Sequence, residues 1–92
     1  MWSVCLVHEA EKELQCAQKQ VRRKFDLWVV AVMVLGPWLK GGWRTESLVG
    51  VLKGFYSVRL NLKWRVIFEV KEENKILVIR IVAHDYKSVR RN

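Results

Sequence analysis

A single proline, Pro37, and the lack of any Pro/Gly/Ser-rich stretch long enough to divide the chain argue against separate domains, so residues 1–92 read as one domain. There are only two cysteines, Cys5 and Cys16, with no second pair and no histidine cluster at metal-ligand spacing. That pattern argues against a disulfide framework or a structural metal, and both thiols are expected to be buried and reduced. No apolar run reaches the ~20 residues a membrane-spanning helix needs. The longest, "LWVVAVMVLGPWL" (27–39), is broken at Gly36-Pro37. The N-terminus "MWSVCLVHEAEKE" lacks a basic leader and turns acidic too early for a secretory signal, so a cytoplasmic protein with no membrane partner is expected.

Acid is the scarce charge. Nine Asp+Glu face 17 Lys+Arg, for a formal net charge of +8, which favours a polyanionic partner. Apolar residues make up 51% of the chain and include five tryptophans, enough to build a core and inconsistent with a disordered composition.

The pattern along the chain predicts an α+β fold. "WSVCLVH" (2–8) suits a buried strand. Ala10, Leu14, Ala17, Val21 and Phe25 recur at helical spacing, with Glu9, Glu11 and Glu13 in the first turns where the helix dipole favours negative charge. A break is expected near the polar stretch 19–24. A second helix then runs from about Val21 to Leu35 and stops at Gly36-Pro37. Its "WVVAVMVL" segment is apolar almost all round, which calls for cover on most sides.

Residues 40–54 hold four of the five glycines and read as a loop. Three strand-like runs follow, Phe55 to Asn61, Trp64 to Lys71 and Lys75 to Val82. The result is an N-terminal strand, two helices and a three-stranded antiparallel meander, with the helices on one sheet face and the other face free.

Alternation places Ser57, Arg59 and Asn61 on one face of their strand, and Arg65, Ile67 and Glu69 on the matching face of the next. Setting Leu60 beside Trp64 makes Arg59 a cross-strand neighbour of Arg65. If Leu77, Ile79 and Ile81 face the core, Arg80 turns to the same side. Like charges directly opposite destabilise a sheet by about 0.2–1 kcal/mol, so something should offset them. A phosphate would do so, since the planar guanidinium fork makes paired hydrogen bonds to phosphate oxygens. Glu46, the only acid between Asp26 and Glu69, lies in the glycine-rich loop, and "AHDYK" (83–87) adds His84 and Tyr86. A carboxylate, paired arginines, an imidazole and a phenol are the parts RNA cleavage by internal attack requires: a base, cations for the phosphorane, and an acid.

The residues "LKGFYSVRLNLKWRVIFEV" and "ILVIRIVAHDY" resemble the RelE/ParE toxin superfamily, most closely its RelE, HigB and YoeB-like messenger-RNA interferases, over nearly the whole chain. The resemblance implies a toxin of a type II toxin-antitoxin pair that enters the ribosomal A site and cuts messenger RNA, held inactive by a cognate antitoxin. It implies Glu46 as general base, Arg59 and Arg65 on the scissile phosphate, His84 as general acid and Tyr86 as an assisting or stacking aromatic. Lys53 would contact the RNA backbone, with Lys63, Arg80 and Lys87 as further RNA-binding cations and no small-molecule cofactor. Two alternatives stay open: a ParE-like module that inhibits gyrase without chemistry, and a fold relic or plain RNA-binding protein. Two features depart from the pattern: a second helix more apolar than the family's, and "HDY" in place of the adjacent "HY" of YoeB-like members.

Overall fold

The computed structural model describes residues 1–83. The chain forms β1 (Ser3–Leu6), α1 (His8–Cys16), α2 (Lys19–Leu35), β2 (Glu46–Ser47), a 3-10 turn (Gly50–Leu52), β3 (Tyr56–Arg59), β4 (Trp64–Lys71) and β5 (Lys75–Ala83). One five-stranded sheet runs in the order β1-β5-β4-β3-β2, with β1 parallel to β5 and the other pairs antiparallel. The expected α+β class and meander are present. The sheet is wider than expected because the glycine-rich loop contributes β2 at one edge and the N-terminal strand joins at the other.

The two helices part at Ala17 and Gln18, directly before the polar stretch. Both residues are extended (ψ 158° and 155°), and Arg22 of α2 donates to the Gln15 and Ala17 carbonyls. A cation is favoured at that C-terminal end of α1. Helix α2 ends at Gly36, whose φ of 84° and ψ of 176° lie in a region open almost only to glycine. A Cβ there would also sit 3.1 Å from the Trp2 indole nitrogen.

The core lies between the helices and the sheet. Val21, Phe25, Trp28 and Val32 of α2 meet Val58, Val66, Phe68, Ile76, Val78 and Ile81, all nearly or fully buried. Trp28 packs on Phe25 and Phe68 at ring-centroid distances of 5.6 and 5.3 Å. Each large side chain fully buried in this way contributes roughly 1.5–3 kcal/mol.

Three expectations are corrected. A register shift at Ile67/Phe68 pairs Ile67 with Arg80 and Phe68 with Val78, leaving Ile79 as the extra residue. The bulge resets the alternation, so Ile76, Val78 and Ile81 face the core, not Leu77 and Ile79. The apolar α2 is covered on one side only: Leu27, Val30 and Val34 are 53%, 61% and 71% exposed, because a single layer of sheet lies against the helix. Cys5 and Cys16 are free thiols as expected, but exposed, since both sit on the outside of their elements.

Beyond Val78 the outer β5 edge has no strand partner among the described residues, and Glu13 of α1 takes that place. Its carboxylate accepts the Ile81 N–H at 2.7 Å and pairs with Arg80 at 2.7 Å. Burial pushes the Glu13 carboxyl up, but the Arg80 and Ile81 hydrogen bonds and the Arg80 charge outweigh it and hold the carboxyl below its usual range.

Two outcomes follow from these contacts. Gly36→Ala loses about 1–3 kcal/mol of stability and melts several degrees lower, whereas Gly42→Ala, with open space around it, changes little. A carboxyl depressed in the folded state stabilises above its unfolded pKa, and the benefit is lost as pH falls through the folded value. Glu13→Gln is therefore less stable than wild type at neutral pH, and the gap closes as denaturation is measured progressively below the ordinary carboxylate range.

Candidate functional site

The loop after α2 is tied into a fixed shape. The Thr45 hydroxyl donates to the Pro37 carbonyl at 2.7 Å and accepts the Leu39 N–H at 3.2 Å, while the Trp43 carbonyl accepts the Arg59 N–H at 3.0 Å. This delivers residues 46 and 47 to the edge of β3, with Glu46 opposite Ser57 and Ser47 opposite Tyr56. The β3–β4 register then sets Ser57 opposite Ile67 and Arg59 opposite Arg65. Directly paired residues share a face, so Glu46, Ser57, Arg59 and Arg65 stand together on the side away from the helices.

The hairpin that fixes this register turns on Asn61, whose side-chain oxygen accepts the N–H groups of Lys63 (2.9 Å) and Trp64 (2.8 Å). Such a side-chain-closed turn is a usual role for Asn.

The two arginines differ. Arg65 is buried, and its Nη1 donates to Glu46 Oε1 at 3.2 Å and to Ser57 Oγ at 3.4 Å. Arg59 is half-buried and forms no ion pair with a described residue. The Arg65–Glu46 pair joins a side chain 9% exposed to one 51% exposed. Hydrogen bonds to charged groups contribute about 1.5–3 kcal/mol, less when one partner faces water, which still matches or exceeds the repulsion between Arg59 and Arg65. In the chain alone, then, Glu46 supplies at least part of the offset that the sequence suggested a phosphate would provide.

The other expected residues fall into three groups. Lys53 and Lys63 are exposed at the two ends of β3, and Lys63 borders a shallow groove with Gln18 and Trp64. Arg80 lies on the arginine face by register but its guanidinium is engaged by Glu13 at the sheet edge, which also holds Arg80 protonated more firmly than usual. His84, Tyr86 and Lys87 lie outside the described residues. Ser57 was not singled out from the sequence as a site residue, although the alternation that found Arg59 places it on the same face. Thr45, which orders the loop, carries no local signal. Among the described residues no group of three His, Cys, Asp or Glu could hold a metal ion.

No protein-family model matches this chain, and no curated protein matches it. Solved structures do. A YoeB/ParE toxin from Agrobacterium tumefaciens superposes with a TM-score of 0.75 at 17% identity, covering 92% of this chain and 100% of that one. The heterotetrameric YoeB-YefM toxin-antitoxin complex from Staphylococcus aureus contains a match with a TM-score of 0.74 at 22% identity, covering 92% and 99%. The toxin-antitoxin complex RelBE2 from Mycobacterium tuberculosis gives 0.68 at 14%, covering 90% and 98%. The chain therefore has the fold of the RelE/ParE toxin superfamily, as the resemblance in its sequence implies.

A carboxylate this exposed should be replaceable without loss of fold. Glu46→Gln is expected to stay within about 1 kcal/mol of wild type in chemical denaturation. A larger loss would make Glu46 a structural anchor instead of an available carboxylate.

Proposed function

We propose that the protein is the toxin of a type II toxin-antitoxin pair and a ribosome-dependent endoribonuclease. The observation that carries the proposal is the constellation on one sheet face: a half-exposed carboxylate on a buried guanidinium, with a second guanidinium directly across the strand pair. An RNA phosphate seated against Arg59 and Arg65 competes with Glu46 for Arg65. It thereby leaves the carboxylate beside the sugar that must lose a proton.

Glu46 then takes the proton of the 2′-hydroxyl, the 2′ oxygen bonds to phosphorus, and the bond from phosphorus to the 5′ oxygen breaks. The products are a 2′,3′-cyclic phosphate and a 5′-hydroxyl. The arginines hold the extra negative charge of the phosphorane, the usual largest source of rate in such a step. His84 and Tyr86 are assigned to protonate the leaving oxygen and to assist, on the family resemblance alone.

A cognate antitoxin is the proposed protein partner, in keeping with the toxin-antitoxin complexes that share the fold. Two surfaces suit it. One is the basic sheet face. The other is the exposed stripe of Leu27, Val30 and Val34, at helical spacing of three and four, which continues toward Arg23. An amphipathic acidic helix that lays its apolar side along that stripe would also complement the chain's net charge of +8.

Induced expression with transcript mapping separates this reading from gyrase inhibition. Cut messages in arrested cells are expected, and arrest with intact transcripts and a DNA-damage response would overturn the proposal. Arg59→Ala, at a half-exposed position, keeps the fold and lowers cleavage by about 10²-fold or more, the usual cost of one donor to a developing oxyanion. Arg65→Ala lowers cleavage at least as far.

A further inference from the structure

Next to the proposed site, at the end of β3, lies a small basic cleft with an aromatic wall. It has a volume of about 250 Å3 and is lined by Lys24, Gly42, Trp43, Arg59 and Leu60. We infer that Trp43 is a stacking platform for an RNA base, and that Lys24 and Arg59 hold the phosphates on either side of that nucleotide. This deepens the nuclease reading and rests on it: the substrate would be single-stranded RNA gripped by one base beside the phosphate to be cut.

Four observations carry the inference. Trp43 and Arg59 are fixed to each other through the backbone, since the Trp43 carbonyl accepts the Arg59 N–H at 3.0 Å. The backbone that carries the ring is therefore held at a set place relative to that of an arginine of the site. The ring is only half-buried, and the group over its face is the Lys24 ammonium, 5.6 Å from the centroid. No described carboxylate forms an ion pair with Lys24 or Arg59, so two cations border the cleft without an acidic partner among the described residues. The wall at Gly42 is open, because a Cβ there would meet nothing within 4 Å.

The volume is below the ~300–1,000 Å3 of pockets that enclose a drug-sized molecule, and it suits one planar ring. Stacking of a base on an aromatic side chain exceeds an exposed cation–π contact about twofold or more in free energy. A base therefore displaces the Lys24 ammonium from the ring, and the freed ammonium meets a phosphate. Stacking tolerates every base, so this subsite gives grip and strand polarity more than sequence choice.

The test is direct binding to Glu46→Gln protein, in which the chemistry is blocked. Fluorescence anisotropy would follow a labelled single-stranded RNA oligomer and, separately, an abasic ribose-phosphate chain of the same length. Trp43→Leu, which keeps apolar bulk, is expected to weaken RNA binding by about 5- to 100-fold and to leave the abasic chain unaffected. Trp43→Tyr restores most of the loss. Equal losses on both probes, unchanged RNA binding by Trp43→Leu, or no RNA binding by the Glu46→Gln protein would each overturn the inference. Cleavage on programmed ribosomes is read separately. If the wild-type protein leaves the message as intact as Glu46→Gln and Arg59→Ala do while Trp43→Leu shows the selective loss of binding, the nuclease reading fails and the base subsite stands. If those two variants are inactive while Trp43→Leu binds normally, only the subsite fails.

Discussion

The antiparallel pairing of β3 with β4 sets where every other functional group can stand. With Tyr56 opposite Phe68 and Val58 opposite Val66, the aromatic and branched side chains are committed to the helices, and Arg59 and Arg65 must turn the other way together. A slip of one residue would exchange the faces, burying arginine against Trp28 and exposing Val58 and Val66. The cost of burying two unpaired charges far exceeds the mild repulsion of two arginines side by side. The juxtaposition is therefore a consequence of the hydrophobic pattern. What remains is to neutralise it, and Glu46 does so in part within the chain.

Bringing Glu46 there requires order in a stretch that looks like a loop. Gly36 turns the chain away from α2, Thr45 closes the segment onto Pro37 and Leu39, and the Trp43 carbonyl docks on β3. Only then does the short β2 pair with β3 and put its carboxylate within reach of Arg65. The same docking places Trp43 beside Arg59. One set of backbone contacts thus positions both the proposed general base, Glu46, and the base-stacking cleft proposed next to it.

Much of this was legible in the residues. The alternation in "YSVRLN" and "WRVIF" gave the faces and the Arg59–Arg65 pairing, because strand periodicity is strict where one side must be buried. The bounds of β4 could also be read directly. The bulge at Ile79 could not, since an extra residue leaves no trace in a run of branched apolar residues. Nor could β2, whose two residues pair only because a tertiary contact presents them to an edge. The burial expected for Cys5, Cys16 and the outer side of α2 failed for a common reason. An apolar residue type shows what a side chain tolerates, and a two-layer domain of this size has too few layers to cover both sides of its long helix. The positions of Lys24 and Arg80 depend on α2 and α1 crossing the sheet, which no local pattern encodes.

Across the molecule the charges divide by task. Arg22 closes the end of α1, Arg80 is engaged with Glu13 at the sheet edge, and Arg65 is held by Glu46 and Ser57. Arg59 and Lys24 stand at the cleft with no acidic partner among the described residues, where an RNA strand would supply the missing negative charge. The most direct measurement concerns the sugar. On ribosomes programmed with a message carrying a single 2′-deoxy residue at the cleavage position, the account predicts no cutting there. The all-ribose message should give a 2′,3′-cyclic phosphate and a 5′-hydroxyl at the same point. Cleavage of the 2′-deoxy message at that position would contradict it.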